Sequence, residues 1–172
     1  MNRFRRHLLR ITTLPAALLA TLGFVAAAPA QAEARPPAPC HQGQVVVRAG
    51  QPSPGAGQIA VPLRFSAATH TACSLYGYPG VSAVDAHGHQ VGAPAQRTGQ
   101  RPVNVVVAPG LTVSATVVTA DGTTGGGRCR PQSTGLRVYP PGLHRAQYVP
   151  VRLRVCGGEF TVSPVTVAPA QS

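Results

Sequence analysis

The chain contains no lysine and no tryptophan, and it has only four acidic residues among 172. The acids are Glu33, Asp85, Asp121 and Glu159, which are widely separated in the sequence. General acid–base catalysis depends on several positioned titratable groups, and the motifs G-x-S-x-G, H-E-x-x-H and the phosphate-binding loop are also missing. We therefore predict that the protein is not an enzyme, has no catalytic residues and uses no cofactor.

Large aromatic side chains are scarce as well. Beyond residue 32, Phe65 and Phe160 are the only phenylalanines. The core must therefore consist of small aliphatic side chains. A thin core of this kind gains from disulfides, each of which contributes about 2–4 kcal/mol.

The N-terminus has the order of a secretory signal peptide. A basic segment, M-N-R-F-R-R-H-L-L-R, precedes an apolar run and a small-x-small site that ends at Ala32. A retained membrane anchor is the alternative, but the apolar run is shorter than the roughly 20 residues that a spanning helix needs. We predict a signal peptide at 1–32, a disordered proline-rich lead at 33–39, a single domain at 40–167 and a disordered tail at 168–172. The mature protein would be secreted, extracellular or associated with the cell wall, without a transmembrane anchor.

The sequence after residue 40 alternates short apolar and polar runs between glycine and proline clusters, a pattern typical of β-strands. In the run Q-I-A-V-P-L-R-F-S-A, for example, Val61, Leu63 and Phe65 share one face, while Pro62 indicates an edge strand or a bulge. We predict an all-β, immunoglobulin-like antiparallel β-sandwich of about eight or nine short strands. The candidate strands are 44–49, 58–67, 81–85, 89–92, 103–108, 111–119, 136–139, 149–156 and 160–166.

All four cysteines lie in the predicted domain. An even number of cysteines in an exported chain indicates disulfides. Zinc sites usually contain short C-x-x-C-type pairs, whereas the closest cysteines here are Cys129 and Cys156. Extending the hairpin of strands 44–49 and 58–67 outward brings Cys40 near Cys73, and extending the hairpin of 136–139 and 149–156 brings the other two together. We predict no metal and two disulfides, Cys40–Cys73 and Cys129–Cys156.

The segment D-A-H-G-H supplies the best candidate metal ligands. On an extended strand, Asp85, His87 and His89 would share a face and could bind a cation. The alternative is a type I turn, which favours Asp at its first position and Gly at its fourth. We favour the turn, with both histidines exposed at its tip.

A basic stripe is expected on the second hairpin. Eleven arginines remain against four acids once the signal peptide is removed, a net charge of +7. Arg137, Arg152 and Arg154 each alternate with inward apolar residues, so all three should point outward from one two-stranded ribbon. Such a stripe suits an anionic envelope polymer, although an ordinary solvated face would look the same. Nucleic acid is excluded as a partner, because no nucleic-acid-binding motif is present.

Several segments of the chain resemble a known family. They are C-S-L-Y-G-Y-P-G-V-S-A-V-D-A-H-G-H-Q-V-G, V-V-V-A-P-G-L-T-V-S-A-T-V, C-R-P-Q-S-T-G-L-R-V-Y-P-P-G and V-C-G-G-E-F-T-V-S-P-V. Together they are similar to the domain of unknown function numbered four-two-three-two, which is found in exported actinobacterial proteins. The resemblance implies a β-sandwich with disulfides, and it implies no reaction and no catalytic residues.

The block L-Y-G-Y-P-G-V is the most specific part of this resemblance. Pro79 and Gly80 fit the centre of a type II turn in which the glycine takes a positive φ, and Gly77 permits a bend. One interpretation is a stapled corner in which Tyr76 or Tyr78 packs under the sheet and its hydroxyl bonds to backbone. The other is an exposed two-tyrosine platform for a sugar or a peptide.

We therefore expect an exported, non-enzymatic β-sandwich module that binds cell-envelope material or another exported protein. Its candidate binding residues are the two tyrosines of the Y-G-Y-P-G block and the three arginines of the second hairpin. A secreted protease inhibitor is the alternative, because G-G-G-R-C-R-P-Q-S places Arg128 and Arg130 beside a cysteine on a predicted loop.

Overall fold

Twelve β-strands make up the described part of the protein in the computed structural model, which describes residues 35–123 and 127–167. The predicted signal peptide, the first two residues of the lead and the predicted tail lie outside the described residues. No helix in the described ranges is long and apolar enough to cross a membrane. The strands are β1 (Val45–Ala49), β2 (Ser53–Gly55), β3 (Gln58–Ala67), β4 (Cys73–Tyr76), β5 (Gly80–Val84), β6 (Gln96–Arg97), β7 (Asn104–Val107), β8 (Thr112–Ala120), β9 (Ser133–Tyr139), β10 (Gln147–Leu153), β11 (Phe160–Val162) and β12 (Thr166–Val167).

Strands β3 and β8 form the centre of a seven-stranded sheet. Strands β1 and β2 pair with β3, both β11 and β12 pair with β8, and the short β6 runs parallel to β11. Alternation explains the pairing, because the buried residues at 61, 63 and 65 of β3 lie directly opposite the buried residues at 117, 115 and 113 of β8. Leu63 lies opposite Ala115 and Phe65 lies opposite Val113, so a large side chain meets a smaller one in each pair.

The opposite layer consists of a three-stranded sheet, in the order β10, β9, β5, and a two-stranded sheet of β4 and β7. Buried residues of these sheets, such as Val105, Leu136 and Val149, belong to the same hydrophobic cluster as Leu63 and Phe65. The protein is therefore an all-β sandwich, as predicted. It has more strands than predicted, because β2, β4 and β6 are too short to show a period and the run 160–166 is divided into β11 and β12.

Three details of the strand prediction are wrong. The segment 89–92 makes only an isolated bridge, between Gln90 and Val84. Leu111 is exposed, because it follows a turn that places it outside β8. Pro62 lies in a central strand rather than at an edge.

The environment of Pro62 explains why a central strand tolerates it. Its carbonyl accepts a hydrogen bond from the Gly50 N–H at 2.7 Å, so its nitrogen also faces the side of β1 and β2. Strand β1 ends at Ala49 and β2 begins at Ser53. Proline has no N–H, and the side of Pro62 that lacks this donor faces the gap between the end of β1 and the start of β2. The hydrogen bonds between β3 and β8 are therefore not affected.

Both predicted disulfides are present, Cys40–Cys73 and Cys129–Cys156. Their Cα atoms are 4.8 and 3.9 Å apart, respectively. Residues 37–39 of the predicted lead lie against β4, where the Ser74 N–H bonds to the Ala38 carbonyl and the Ser74 hydroxyl bonds to the Pro37 carbonyl. The ordered domain therefore begins before its first cysteine.

A side-chain amide joins the two layers at one edge. The Val47 N–H donates to Gln147 Oε1 at 3.0 Å, and Gln147 Nε2 donates to the Val45 carbonyl at 2.8 Å. Gln147 belongs to β10 and the two valines to β1, which pairs with no strand of the described residues on this side. The amide thus satisfies backbone groups that would otherwise be unpaired at the edge of the sheet.

Candidate functional site

The Y-G-Y-P-G segment carries the chain from one sheet to another, since β4 pairs with β7 and β5 pairs with β9. Gly77 makes the change of direction with a φ of +108°, which L side chains rarely adopt. Its carbonyl accepts a hydrogen bond from the Val165 N–H at 3.0 Å. The predicted type II turn centred on Pro79 and Gly80 is wrong, because Gly80 begins β5 and its φ is not positive.

The two tyrosines of this segment have different environments. Tyr78 is half-buried, and its hydroxyl donates to the Gln100 carbonyl at 3.1 Å, as the stapled-corner interpretation expects of one tyrosine. Tyr76 is 60% exposed on the outer face of β4, as the platform interpretation expects. The structure therefore brings both tyrosines to one region, where one is anchored to backbone and the other faces solvent.

A hollow of about 270 Å³ lies beside Tyr78. Arg97, on β6, places its guanidinium carbon 5.8 Å from the centroid of the Tyr78 ring, within cation–π range. Tyr139, at the end of β9, is exposed by 39% and lies opposite Gly80 in the β5–β9 ladder. The lining residues are Tyr78, Gly80, Arg97, Tyr139, Pro140, Gly142, Leu143 and His144.

The segment P-P-G-L shapes this hollow. The Leu143 N–H bonds to the Pro140 carbonyl at 3.0 Å, and Gly142 has a φ of +73°. Proline followed by a glycine of positive φ is the sequence of a type II turn, so the chain contains this turn type here rather than after Tyr78. Both Pro140 and Pro141 are buried, which holds the turn against the domain.

A second hollow of about 140 Å³ adjoins the first. Gly142 lines both of them, and Tyr76 and Asn104 line the second. Its remaining lining residues are Pro39, Cys40, Ser74 and Pro141. We call the two hollows together the tyrosine groove, defined by Tyr76, Tyr78, Tyr139, Arg97 and His144.

Sequence reasoning identified only two of these five residues. Tyr139, Arg97 and His144 were missed because they lie on strands and turns that are distant in sequence from Y-G-Y-P-G. The signal that could have located part of the site is Y-P-P-G-L-H, a second tyrosine followed by a turn sequence.

The permanent charge of the tyrosine groove is positive. None of the described residues that line it carries a carboxylate, whereas Arg97 carries a permanent positive charge. The described acids are engaged elsewhere. Glu159 accepts a hydrogen bond from Gln58 at 2.6 Å, and Asp121 accepts one from the Thr123 N–H at 2.8 Å.

The segment D-A-H-G forms the predicted turn. The Gly88 N–H bonds to the Asp85 carbonyl at 3.1 Å, and Asp85 Oδ1 accepts the N–H groups of His87 and His89, both at 2.8 Å. These backbone hydrogen bonds, that of His89 first, hold the pKa of the Asp85 carboxyl below its ordinary value. Across the described ranges, no three metal-ligating side chains are placed to bind a metal ion together.

The three candidate arginines do not line the tyrosine groove: Arg137 lies on β9, Arg152 lies on β10, and Arg154 follows β10, which ends at 153 rather than at the predicted 156. Arg137 is half-buried, lies opposite Tyr148 and donates to the Gly88 carbonyl of the D-A-H-G turn. Arg152 and Arg154 are exposed, and Arg152 lies within the register shift between Pro150 and Leu153. Arg137 is thus fixed to a neighbouring turn, while the other two project into solvent.

Arg128 and Arg130 are both exposed beside the second disulfide. Their backbone is paired, since the Arg130 N–H bonds to the Val155 carbonyl at 2.8 Å and the Gly157 N–H bonds to the Arg128 carbonyl at 3.3 Å. Residues 124–126 of this loop lie outside the described part of the chain. The described arginines therefore sit on paired backbone rather than on a free extended segment.

Fold and site together define a small, disulfide-bonded β-sandwich protein with a tyrosine-lined groove at a corner between its sheets. The family model described as Domain of unknown function (DUF4232) matches residues 40–166. The chain belongs to this family, as its sequence blocks indicate. No curated protein and no solved structure matches the chain.

Proposed function

We propose that this protein is an exported, non-catalytic binding module, and that it binds cell-envelope or extracellular material in the tyrosine groove. The observation that carries the proposal is the convergence of Tyr76, Tyr78 and Tyr139 around two adjoining hollows. Two disulfides support an oxidising compartment outside the cytoplasm.

Tyrosine is well suited to such a role. Its ring supplies a large contact area, and only two side-chain torsions are fixed on binding. In this protein, the Tyr78 ring is already held by its hydroxyl bond to Gln100 and by Arg97. A ligand would therefore meet a surface that is partly preorganised, which reduces the entropy lost on association.

A role without catalysis fits the positions of the acidic groups. Asp85 is committed to a turn, and Glu159 bonds to Gln58. The groove itself offers a guanidinium, an imidazole and phenol groups, with no carboxylate among its described lining residues to pair with them. Such a set can hold an anionic group and a ring, and it lacks the paired acid and base that hydrolysis of most envelope polymers would use.

The proposal is tested by binding of the oxidised protein to wall and membrane fractions of its own cells over a salt series. We expect saturable binding to one fraction, which the variant Tyr139→Ala loses. Tyr148→Ala is the matched control, because Tyr148 is also an exposed tyrosine, on β10, but lies outside the groove. Equal loss in both variants, at unchanged melting temperature, would place binding elsewhere. Loss only in the double variant Arg152→Gln/Arg154→Gln would assign it to the arginine face.

Protease inhibition has less support. Substrate-like inhibitors present an extended segment to the protease, whereas the backbone at Arg128 and Arg130 is hydrogen-bonded to residues 155–157. Incubation with a trypsin-like protease separates the two roles. We expect cleavage or no interaction, and stoichiometric, tight inhibition that Arg128→Ala abolishes would support the inhibitor instead.

A further inference from the structure

We infer that the ligand of the tyrosine groove is an acidic saccharide of two or more rings, with its acidic group paired to Arg97 and its rings packed on the tyrosines. This inference rests on the proposed function, since it names the ligand class of the same groove. It is carried by the groove's charge, its aromatic surfaces, its division into two hollows and the state of the neighbouring strand edges.

The charge of the groove selects an acidic ligand. Arg97 is an exposed guanidinium on a two-residue strand, and His144 is an exposed second nitrogen donor across the same hollow. A neutral ligand would leave this cation with the Tyr78 ring alone as its partner, whereas a carboxylate or phosphate can also form charge-assisted hydrogen bonds with it. A cationic ligand would be repelled, because no described lining residue offers an opposing negative charge.

The aromatic surfaces select a ligand with rings. Tyr78 and Tyr139 line the larger hollow, and Tyr76 lines the smaller one. A sugar ring presents apolar C–H groups on its faces and hydroxyls on its rim. The C–H face can pack on a tyrosine ring, while the rim reaches polar groups such as Asn104 and Ser74 in the smaller hollow. Binding sites commonly combine an apolar lining with a few polar groups in this way.

The division of the groove selects a ligand with more than one unit. The hollows measure about 270 and 140 Å³, and they adjoin at Gly142. Gly142 has no side chain, and beyond its chain neighbours no atom lies within 4 Å of the position that a Cβ would take. A chain of rings can therefore pass over this glycine, with one unit beside Tyr78 and Tyr139 and the next beside Tyr76.

The neighbouring strand edges argue against an added peptide strand. Within the described residues, the free side of β4 is occupied by the segment before Cys40, through the bonds Cys40 N–H to Ser74 and Ser74 N–H to Ala38, both at 2.9 Å. The free side of β5 is covered by Val91 and Ala95, whose N–H groups bond to Ala83 and Val81. A peptide at the groove could extend neither of these two strands, so it would lose the main-chain bonds that such recognition would gain there.

Calorimetric titration of the oxidised protein, purified after expression of the full chain, tests the inference. The acidic probes are trigalacturonate and trehalose phosphate, which carry a carboxylate and a phosphate. Their neutral matches are the methyl ester of the trisaccharide and trehalose, and a tri-glutamate peptide supplies negative charge without sugar rings. We expect at least one acidic sugar to bind. Its neutral match should be weaker by about tenfold or more, as the loss of a charge-assisted contact implies. The peptide should also be weaker, because it has no rings to pack on the tyrosines.

Variants locate the binding. Arg97→Gln should weaken binding of the acidic sugar by about tenfold and leave binding of its neutral match unchanged. The control Arg48→Gln, at an exposed arginine on β1, should change neither affinity. Tyr139→Ala should lose the binding, whereas Tyr148→Ala, at an exposed tyrosine on β10 outside the groove, should retain it. Melting temperatures of all variants establish that each one is folded.

The outcomes separate this inference from the proposed function. Binding to the wall fraction through the tyrosines, with no response to either acidic sugar, would overturn the saccharide and leave the binding module standing. Equal binding of tri-glutamate would replace the saccharide with an acidic peptide. If Arg97→Gln and Arg48→Gln weakened binding of the acidic sugar equally, the effect would come from the net charge of the protein, and the proposed site would be wrong.

Discussion

Each of the two disulfides fixes one corner of the same sandwich, and the two corners differ in burial and in their neighbouring side chains. Cys40 and Cys73 are both buried, and Cys40 lines the tyrosine groove. Cys156 is buried but Cys129 is exposed, beside a hollow of about 440 Å³ that has arginines and no aromatic ring among its lining residues. A cysteine pair therefore fixes the chain in both places, and the neighbouring side chains decide whether a binding surface results.

The largest loss in the free energy of unfolding is expected when each disulfide is removed in turn. The cysteines are 33 and 27 residues apart, so the entropy of the unfolded chain predicts a loss of about 3–4 kcal/mol in either case. We expect Cys40→Ser/Cys73→Ser to lose more than Cys129→Ser/Cys156→Ser, because it places two hydroxyls in buried positions rather than one.

Denaturant unfolding measures the two losses, and the titration with acidic sugar is repeated on both variants. Only the first pair borders the groove, so only its removal should weaken binding at temperatures where the variant remains folded. Equal weakening by both pairs would contradict the separation of the two corners.

The second prediction compares a glycine from each corner. Gly122 has a φ of +79°, and an added Cβ would lie 2.7 Å from Cys129 Sγ. Gly77 has a φ of +108°, and no atom lies within 4 Å of its added Cβ. Gly77→Ala should therefore cost only backbone strain, about 1–2 kcal/mol, and Gly122→Ala should cost more.

Thermal unfolding of both alanine variants gives the comparison. Gly142→Ala provides a third measurement, since its φ is also positive and its surroundings are open. A larger loss at Gly77 than at Gly122 would show that the steric contact with the disulfide relaxes without cost.

A smaller effect is expected from the tyrosine hydroxyl in the first corner. Tyr78→Phe removes the bond to the Gln100 carbonyl, which is worth about 0.5–1.5 kcal/mol. The lower end of that range applies because the bond is exposed. Tyr148→Phe, which removes a hydroxyl bond to the Thr134 carbonyl, serves as the matched control. A change only in Tyr148→Phe would indicate that the first corner does not depend on its tyrosine bond.

The smallest effect is expected in the pH dependence of stability, and it arises at Asp85, which belongs to neither disulfide corner. The folded-state pKa of Asp85 is lowered by backbone hydrogen bonds, so its contribution to stability is present above the unfolded value of about 3.9. That contribution is lost as pH falls through the folded pKa. Asp85→Asn should flatten the acid limb of the stability curve, which acid unfolding followed at several pH values measures. Identical acid limbs for the wild type and Asp85→Asn would contradict this assignment.

The framework of the fold could be predicted because its signals are local. Alternation in 58–67 placed Val61, Leu63 and Phe65 in the core, and the two hairpins placed the cysteines in the correct pairs. Strand β4 was missed because four residues show too little period beside two glycines. Pro62 was misplaced because its tolerance depends on where two other strands end.

The site could be predicted only in part, for a similar reason. Tyr76 and Tyr78 stand out in their own sequence, but Arg97 and Tyr139 reach the groove through strands that pair far along the chain. The positive φ was assigned to Gly80 instead of Gly77, since the sequence P-G alone suits a type II turn. The ladder with Tyr139 keeps Gly80 extended, and only tertiary structure reveals that ladder.

The amide of Gln147 also affects whether two molecules of this protein associate through the edges of their sheets. An edge strand with open N–H and C=O groups can act as a template on which an identical chain adds its own strand. Two atoms of one side chain occupy that position on β1. We expect Gln147→Ala to form larger assemblies than the wild type at the same concentration, as measured by analytical ultracentrifugation, and equal sizes would contradict this role of the amide. A single glutamine would then determine whether the sheet ends at the boundary of one molecule or continues into the next.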